Sequence, residues 1–556
     1  MTNWDIANIL LQNKLLLQLK GEKELAAKYE SAAYTIGILD YPVNGDNIPF
    51  LPESIQNDVQ EILNTGSFEL KEDLKRDIPK SLRSIASLPG MRAENAIKLY
   101  EKLQIDSINE LKRAVALGEI KGKKEFGLRF EEQLRRSLIE YEKDFKELTL
   151  FEGYAYAKSI IMFLDKDYKI KLAGSLRRGK ELVNNIDFVV SGEMNKFKKT
   201  LEEIIPIKKV ERKKQNSISV KDKYNAILNF YFVPENYIYS ALVYFTGSKT
   251  FNKIINKIGA IKGFGTAKDG YLLIEGQSEK QVFEKLNMQY IPPEIREGEE
   301  EVDLSLSNSL PELVEKEDIK GDLHIHSNFS DGTNSIREIK DEASYKNYAY
   351  IAITDHSQSL KIAKGMSEEK LLKEFEIIDK INMEGDEPLI LKGIESEINM
   401  DGTLDIESIF EKKFDFIIGA LHTFSATNYE NTERVKKAIE SGLINVIAHP
   451  TGRIIHIREA MPLNFDEISI SASKNNVALE INLFPNRIDL SSGLVKEARR
   501  NGLKYFSIGT DAHNTGHLNF MEYGIKILKR SWIKKEELIN TFELKELRKF
   551  LWNKKH

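Results

Sequence analysis

Five short apolar runs, YAYIAITDH, DFIIGALH, LINVIAHP, VALEINLF and YFSIGTDAH, lie between residues 348 and 513, and most of them stop at a His, Asp or Glu. Helical segments separate them, which is the rhythm of βα units in a barrel or parallel sheet. Barrels assemble their sites from residues at the carboxyl ends of different strands, so these polar groups are expected to converge. The preceding stretch Gly321 to Gly332, GDLHIHSNFSDG, adds a strand on which His324 and His326 face the same way, with Asp331 arriving from the turn.

The candidate metal ligands are therefore His324, His326 and Asp331, His356 in ITDH, Glu395 in GIES, His422 in GALH, His449 in IAHP, and Asp511 with His513 in TDAH. A lone histidine after a strand is ordinarily a core or surface residue. So many ligand-type side chains at strand ends of one domain reverse that expectation. Six imidazoles and three carboxylates suffice for two or three divalent ions, with a carboxylate bridging neighbours. The chain has no cysteine, which excludes disulfides and thiolate sites, and mixed nitrogen and oxygen ligation suits Mn, Zn or Fe better than Mg or Ca. Such a centre fits phosphoester hydrolysis. His456, His517 and His556 lack this support, and Glu397 reads as a packing or supporting group.

The 556 residues exceed a single hydrophobic core; at roughly 100 to 200 residues per domain they imply three to five domains. No apolar run approaches the ~18 residues of a membrane span, and the opening MTNWDIANILLQNK lacks a basic-then-apolar leader. A cytoplasmic location with no membrane partner is the expectation. With a net charge of -5, any nucleic-acid surface has to be local. No histidine precedes His324, and eight of the nine lie between His324 and His517, which confines imidazole chemistry to the last two-fifths of the chain.

Residues 1–85 read as short helices, from the helical spacing in IANILLQNKLLLQL and SIQNDVQEILNTG. In SLPGMRAENAIKLYEKLQI a Leu-Pro-Gly turn precedes a helix, with a weaker echo in EFGLRFEEQLRRSL. Such a turn can offer backbone N–H groups to a phosphate, although packed helices commonly use it too. From Lys169 the pattern turns to strands: IKLAGSLRRGK, NNIDFVVSG and ISVKDKYNAILNFYFVP. Gly174-Ser175 with Arg177 and Arg178 could seat a phosphate, or form a solvated basic turn. Residues 297–320, acidic and then Ser-rich, read as a linker.

The series GDLHIHSNFSDG, ITDH, GIESE, GALHTF, AHPTGR, LEINLFPNRIDL and GTDAHN resembles the PHP (polymerase and histidinol phosphatase) domain family. That resemblance implies a distorted (β/α)7 barrel phosphoesterase with a trinuclear centre, and assigns its ligand roles to the residues named above. The first 295 residues resemble a family X DNA polymerase core through AGSLRRGKELVNNIDFVV, YFTGSK and YIPPEIRE. The implied architecture is multidomain: an N-terminal helical domain (1–85), fingers with helix-hairpin-helix (86–145), an α+β nucleotidyltransferase-like palm (146–235), a thumb (236–296), the linker (297–320) and the PHP barrel (321–556). In the fused family the PHP part is similar to a manganese-dependent 3'-5' exonuclease serving base excision repair. The implied partner is DNA that is gapped, primer-template or 3'-ended, with dNTP as a further ligand and a monomeric enzyme.

The resemblance also implies three palm aspartates holding two Mg ions, yet this chain reads Asn184-Asn185-Ile186-Asp187 and Leu228-Asn229-Phe230-Tyr231. Only Asp187 keeps its carboxylate. Asn185 and Asn229 are poor Mg ligands, and Asn229 cannot act as the base for a primer hydroxyl; Mg binding in the palm is expected to be weak or absent. Ser175 and Arg178 match triphosphate-contacting positions, Tyr244, Phe245, Gly247 and Ser248 a sugar-contacting turn, and Asn252 a base-edge contact. Gly90 keeps the first hairpin's glycine, while Arg92 and Glu125 replace glycines of the first and second hairpins. The leading expectation is an end-processing exonuclease on an impaired polymerase scaffold. The alternatives are a working gap-filling polymerase rescued by a carboxylate such as Glu181, a non-catalytic DNA-binding scaffold, and a small-molecule phosphatase.

Overall fold

The computed structural model describes the chain apart from residues 45–46, 48–50, 124–125, 127–129, 144, 407–412, 426 and 553–556. Glu125 and the hairpin reading attached to it lie outside the described residues. Contacts divide the chain into two compact units. One contains Met1–Ala173, Leu182–Ile238 and Ile455–Arg458; the other contains Gly174–Glu181, Tyr239–Ile454 and Glu459–His556.

The first unit opens on helices, beginning with Asn3–Lys20 and Lys23–Ile38. Thr2 caps the first by accepting from Asp5 N–H while Asp5 reaches back, and Gly21 ends it in the left-handed region. One hydrophobic core runs from Ile6 through Ile85, Leu88 and Leu99 to Leu138, so the N-terminal helices and the hairpin helices are packed together. A five-stranded sheet follows: β1 (Lys169–Ala173), β2 (Ile186–Ser191), β3 (Ile207–Lys214), β4 (Ser217–Asp222) and β5 (Ile227–Phe232), in the order β1-β2-β5-β4-β3. Only β2 and β5 pair in parallel; the other neighbours are antiparallel. Alternation decides its two faces. Phe188, Phe230, Ile218 and Val220 are buried, and Asp187, Asn229, Tyr231, Ser217 and Ser219 are only partly so. Asn185 stands one residue before β2 rather than on the strand.

In the second unit, residues 241–306 form a small helical cluster around Phe251, Ile255, Phe283 and Ile291. The stretch expected to be a linker is folded. Glu301–Leu306 is helical, and Val302 and Leu313 are buried in the same cluster, with Leu304 and Leu310 packed against it. Sparse apolar residues in an acidic, Ser-rich segment thus suffice to cover an existing core.

The barrel has seven strands: β6 (Gly321–Ile325), β7 (Tyr350–Ile353), β8 (Leu389–Glu397), β9 (Phe416–Ala420), β10 (Val446–Ile447), β11 (Ala478–Asn482) and β12 (Phe506–Gly509). They pair in sequential order, every pair parallel. The first and last strands meet through an Ile325–Ala512 bridge, with His326 N–H donating to Ala512 O at 2.8 Å. The expected distorted (β/α)7 barrel is therefore present. Among the described residues no helix is long and apolar enough to cross a membrane.

Candidate metal centre

The strand-end residues named from the sequence come together at the carboxyl end of the barrel. Three overlapping groups bring ligand-type atoms within 4.8 Å of one another: His326, His356 and His513; His324, His326 and Asp511; and His356, Glu395 and His422. Glu395 sits among the imidazoles, with one oxygen 2.8 Å from His449 Nε2 and 3.5 Å from His422 Nε2. Its other oxygen lies 2.9 Å from His356 Nδ1 and 3.5 and 3.6 Å from His324 and His326 Nε2. Asp331 completes the cluster at 3.5 Å from His513 and 3.6 Å from His356. Exposure grades across the site. The His324, His326, Glu395 and His449 side chains are at most 2% exposed, whereas Asp331 and His513 reach 28% and 30%.

Several buried atoms here lack a hydrogen-bond partner: His324 Nε2, both ring nitrogens of His326, His449 Nδ1 and Glu395 Oε2. Buried polar atoms are ordinarily satisfied, so the unpaired Nε2 atoms of His324 and His326 beside Glu395 Oε2 are the kind of donor set a cation requires. The backbone is strained at the same place: His449 and Asp511 have φ of 27° and 55°.

Supporting carboxylates fix the rings; Glu397 already read as a packing or supporting group in the sequence, whereas Glu480 had been given no role. Glu480 Oε1 lies 2.6 Å from His324 Nδ1, while its Oε2 accepts from His449 N–H at 2.6 Å. Glu397 accepts from His422 N–H and sits 2.7 Å from His422 Nδ1. Each orientation leaves Nε2 facing the centre. Asp355 accepts from Ser327 N–H and Ser330 Oγ, holding the turn that delivers Asp331. Gly509 makes room for this arrangement: a Cβ there would fall 2.4 Å from His324 Cβ and 2.5 Å from Glu480 Oε1. The signal for Glu480 was available in VALEINLF, where Glu480 and Asn482 alternate on one strand face like His324 and His326.

Charge is distributed unevenly. Burial opposes ionisation of Glu395, but His356, His422 and His324 overcome it and hold its carboxyl well below the usual range. Asp511 is likewise held low despite burial, by His324, His326 and Arg487. Burial, with His356 and His513 alongside, pushes His326 down to about 4. Burial and Arg487 take His449 down to about 3. Against burial, Asp331 lifts His513 to about 9. The centre thus combines anionic carboxylates with two imidazoles, His326 and His449, held neutral and able to donate lone pairs, while the surrounding carboxylates lift His324, His356 and His513.

The polymerase-like positions have a different character. Asp187 is engaged by its neighbours: Asn229 Nδ2 donates to its Oδ1 at 2.9 Å and Tyr231 OH at 3.3 Å. Arg178 is buried, donating to Glu297 at 3.0 Å and to Thr246 O at 2.7 Å. Ser248 Oγ donates to Glu297 O, and Asn252 Nδ2 to Tyr244 O, both at 2.7 Å. Arg178 and the turn through Ser248 are thus gathered around Glu297, which Arg530 also contacts at 2.6 Å. Ser175 lies in the short helix Gly174–Arg177, and Phe245 stacks edge-on against Tyr244. A Cβ on Gly247 would strike the Phe251 ring at 2.3 Å. Glu181 is taken up by Arg453 at 3.0 Å and Ser492 N–H at 2.7 Å. Gly90 has φ of 72° and its Cβ position lies 1.9 Å from the His456 carbonyl oxygen; Arg92 caps the following helix N-terminus without a side-chain hydrogen bond.

Comparison with known proteins fits this geometry. A PHP domain profile matches residues 322–483 and a DNA polymerase beta thumb profile residues 241–297. The chain is 31% identical to the "DNA polymerase/3'-5' exonuclease PolX" of Bacillus subtilis (strain 168), over 98% of this chain and 99% of that protein. The chain belongs to the PolX-type family X polymerases that carry a PHP domain. A "probable phosphatase" of Thermoanaerobacter sp. (strain X514) is 28% identical over 42% of this chain and 95% of its own length. Another, of Proteus mirabilis (strain HI4320), is 27% identical over 41% and 91%. About two-fifths of this PolX-type chain thus matches each of these two proteins over nearly its whole length.

Proposed function

We propose that this chain is a DNA end-processing enzyme. Its PHP centre acts as a metal-dependent 3'-5' exonuclease or 3'-phosphodiesterase, and its polymerase-like part binds and positions DNA with little or no templated synthesis. The observation that carries this reading is a contrast: the unpaired buried Nε2 atoms of His324 and His326 face Glu395 in the barrel at 3.5 and 3.6 Å, whereas Asp187 is bonded to Asn229 and Tyr231. The substrate is DNA that is gapped, primer-template or 3'-ended, the setting is repair in the cytoplasm, and the enzyme works as a monomer.

His324, His326, Asp331, His356, Glu395, His422, His449, Asp511 and His513 would hold up to three ions, Mn2+ in preference to Zn2+ or Fe2+. Divalent ions in such a set supply Lewis acidity and a water whose pKa is brought toward neutrality. The protein does the remainder. Glu395, whose two oxygens face different imidazoles, would be a central ligand of the set. Glu480 and Glu397 keep the His324 and His422 rings oriented. Asp331 and His513, the most open members, define the side from which a phosphodiester enters.

A working polymerase needs a different palm. Glu181, the carboxylate that could have compensated, is committed to Arg453 and Ser492. The test pairs degradation of 3'-labelled DNA in Mn2+ with primer extension in Mg2+ or Mn2+. The wild type should degrade DNA and not extend primers, and His324→Ala should lower degradation more than about 100-fold. Unchanged degradation in that variant would falsify the reading.

A further inference from the structure

Glu181 closes the stretch AGSLRRGKE, in which Ser175 and Arg178 resemble triphosphate contacts, yet its own carboxylate is turned toward the barrel. Contacts place Gly174–Glu181 in the same compact unit as that barrel. Glu181 Oε2 accepts from Arg453 Nη2 at 3.0 Å, and its Oε1 accepts from Ser492 N–H at 2.7 Å, where the helix Ser492–Arg500 begins. Both partners stand on segments that follow barrel strands, Arg453 after β10 and Ser492 after β11. The turn is held from another side as well. Arg530 Nη1 donates to Arg178 O at 3.3 Å, and a Cβ on Gly179, whose φ is 69°, would lie 3.1 Å from Lys526 O.

Arg453 passes this anchorage inward. Its Nε donates to Arg487 O at 3.0 Å and its Nη2 to Ile488 O, so one guanidinium bears on the backbone of two successive residues. Ile488 has φ of 46°, a conformation that a β-branched side chain adopts only where its surroundings impose it. A second tie lies beside the first: Asp489 accepts from Thr451 N–H at 3.0 Å and from Thr451 Oγ1 at 2.9 Å. The outcome is felt at Arg487. Its mostly buried side chain brings Nε to 3.4 Å from Asp511 Oδ2, while Nη1 is buried without a hydrogen-bond partner. A guanidinium carries five N–H donors, and a buried donor left unmet costs free energy. An oxyanion arriving beside Asp511 would meet it. A salt bridge that merely joins two packed segments would account for the Glu181–Arg453 pair. It would not account for an unmet donor at the far end of these contacts, next to a candidate metal ligand.

We propose that Glu181 is a positioning residue for the barrel centre. Through Arg453 it fixes the loop from Phe484 to Leu490, and that loop presents Arg487 Nη1 to a non-bridging oxygen of the substrate phosphodiester. The turn that resembles a triphosphate seat thereby serves hydrolysis in the barrel. The inference rests on the reading of this chain as a phosphodiesterase and adds two residues to it: Arg487, which touches the substrate, and Glu181, which does not. Neither makes or breaks a bond.

The test joins two measurements on the full chain. The first needs neither metal nor substrate: hydrogen exchange in EDTA, followed by mass spectrometry. Glu181→Ala should speed exchange in the peptide covering residues 484–490 about 10-fold or more, with exchange in β6 unchanged. Glu181→Gln, which keeps the size of the side chain but has one oxygen for two donors, should show the same change at smaller amplitude. The second measurement is hydrolysis of bis(p-nitrophenyl) phosphate in saturating Mn2+. Arg487→Ala should lower kcat/KM about 100-fold and Glu181→Ala roughly 10- to 100-fold, neither raising the half-saturating Mn2+ concentration. Because Glu181 acts through Arg487, adding Glu181→Ala to Arg487→Ala should cost nothing further. Losses that multiply in the double variant would overturn the proposal, as would unaltered exchange at 484–490 in Glu181→Ala. A raised Mn2+ requirement in either single variant would place the defect in the metal set and overturn it too. If the wild type failed to hydrolyse the ester, the phosphodiesterase reading would fall, while exchange would still decide whether Glu181 fixes the loop.

Discussion

Replacing Glu480 with Gln tests how the candidate metal centre is held together without removing any group assigned to the metal. Glu480 Oε1 lies 2.6 Å from His324 Nδ1, and Oε2 accepts from His449 N–H at 2.6 Å and from Asn482 Nδ2 at 3.2 Å. An amide has one oxygen where the carboxylate had two. If its NH2 faces His449, it meets another donor. If it faces His324, it favours the tautomer that accepts at Nδ1, which places the proton on Nε2 and blocks the nitrogen directed at the centre. Loss of an orienting carboxylate of this kind typically costs 10- to 100-fold in metal affinity, or about 1.4 to 2.7 kcal/mol. The half-saturating Mn2+ concentration for degradation of 3'-labelled DNA should rise by that factor, with most of the maximal rate recovered at saturating metal. An unchanged half-saturation would refute the role given to Glu480, and a lost maximal rate with unchanged metal dependence would point to a direct catalytic part instead.

Other outcomes follow from the same structure. Glu279 is held down to about 2, against burial, by Arg296 and Arg177, which it meets at 2.6 Å each. A depressed carboxyl stabilises the fold above its unfolded value of 4.5 and loses that contribution as pH falls toward 2, so urea midpoints followed by fluorescence should decline across that window. Glu279→Gln, which leaves two buried guanidinium groups without their carboxylate, should cost roughly 3 to 5 kcal/mol at neutral pH and flatten the decline. Asn229→Asp, in EDTA, exchanges the amide that donates to Asp187 for a second carboxylate. A charge-assisted hydrogen bond of about 1.5 to 3 kcal/mol is lost, lowering the melting temperature by several degrees with Mg2+ restoring part of it. Equal melting of variant and wild type in EDTA would contradict the pairing seen in the sheet.

The barrel and its nine convergent groups were legible because both signals are local: a strand is a short apolar run, and its last residue is polar. Glu480 was not, because its meaning depends on His324, 156 residues away in sequence, and on parallel pairing that only the closed barrel creates. The segment 297–320 misled for a related reason. Its acidic and Ser-rich composition reads as solvated although Glu301 and Ser305 are buried, and the buried Val302 and Leu313 are too sparse to register as a helical stripe. Arg178 could be marked as a phosphate-type residue from GSLRRG, but its engagement with Glu297 and Thr246 depends on a turn some seventy residues further along and on the carboxylate beyond it.

The two halves of the contrast share one physical cause. Clustered carboxylates and imidazoles repel or remain unsatisfied unless a cation joins them. The barrel centre keeps that instability: unpaired nitrogens, Glu395 and Asp511 held anionic, and positive φ at His449 and Asp511. Such a site is retained at a cost to the apo fold, which metal binding offsets. The sheet has shed the corresponding instability. With amide at 229 and a tyrosine hydroxyl at 231, the remaining carboxylate of Asp187 is satisfied by protein alone. On the proposed reading, a sheet so arranged gains little from Mg2+ and lacks the second carboxylate with which to take a proton from a primer. Metal-dependent turnover is therefore expected to reside in the barrel and not in the sheet of this one chain.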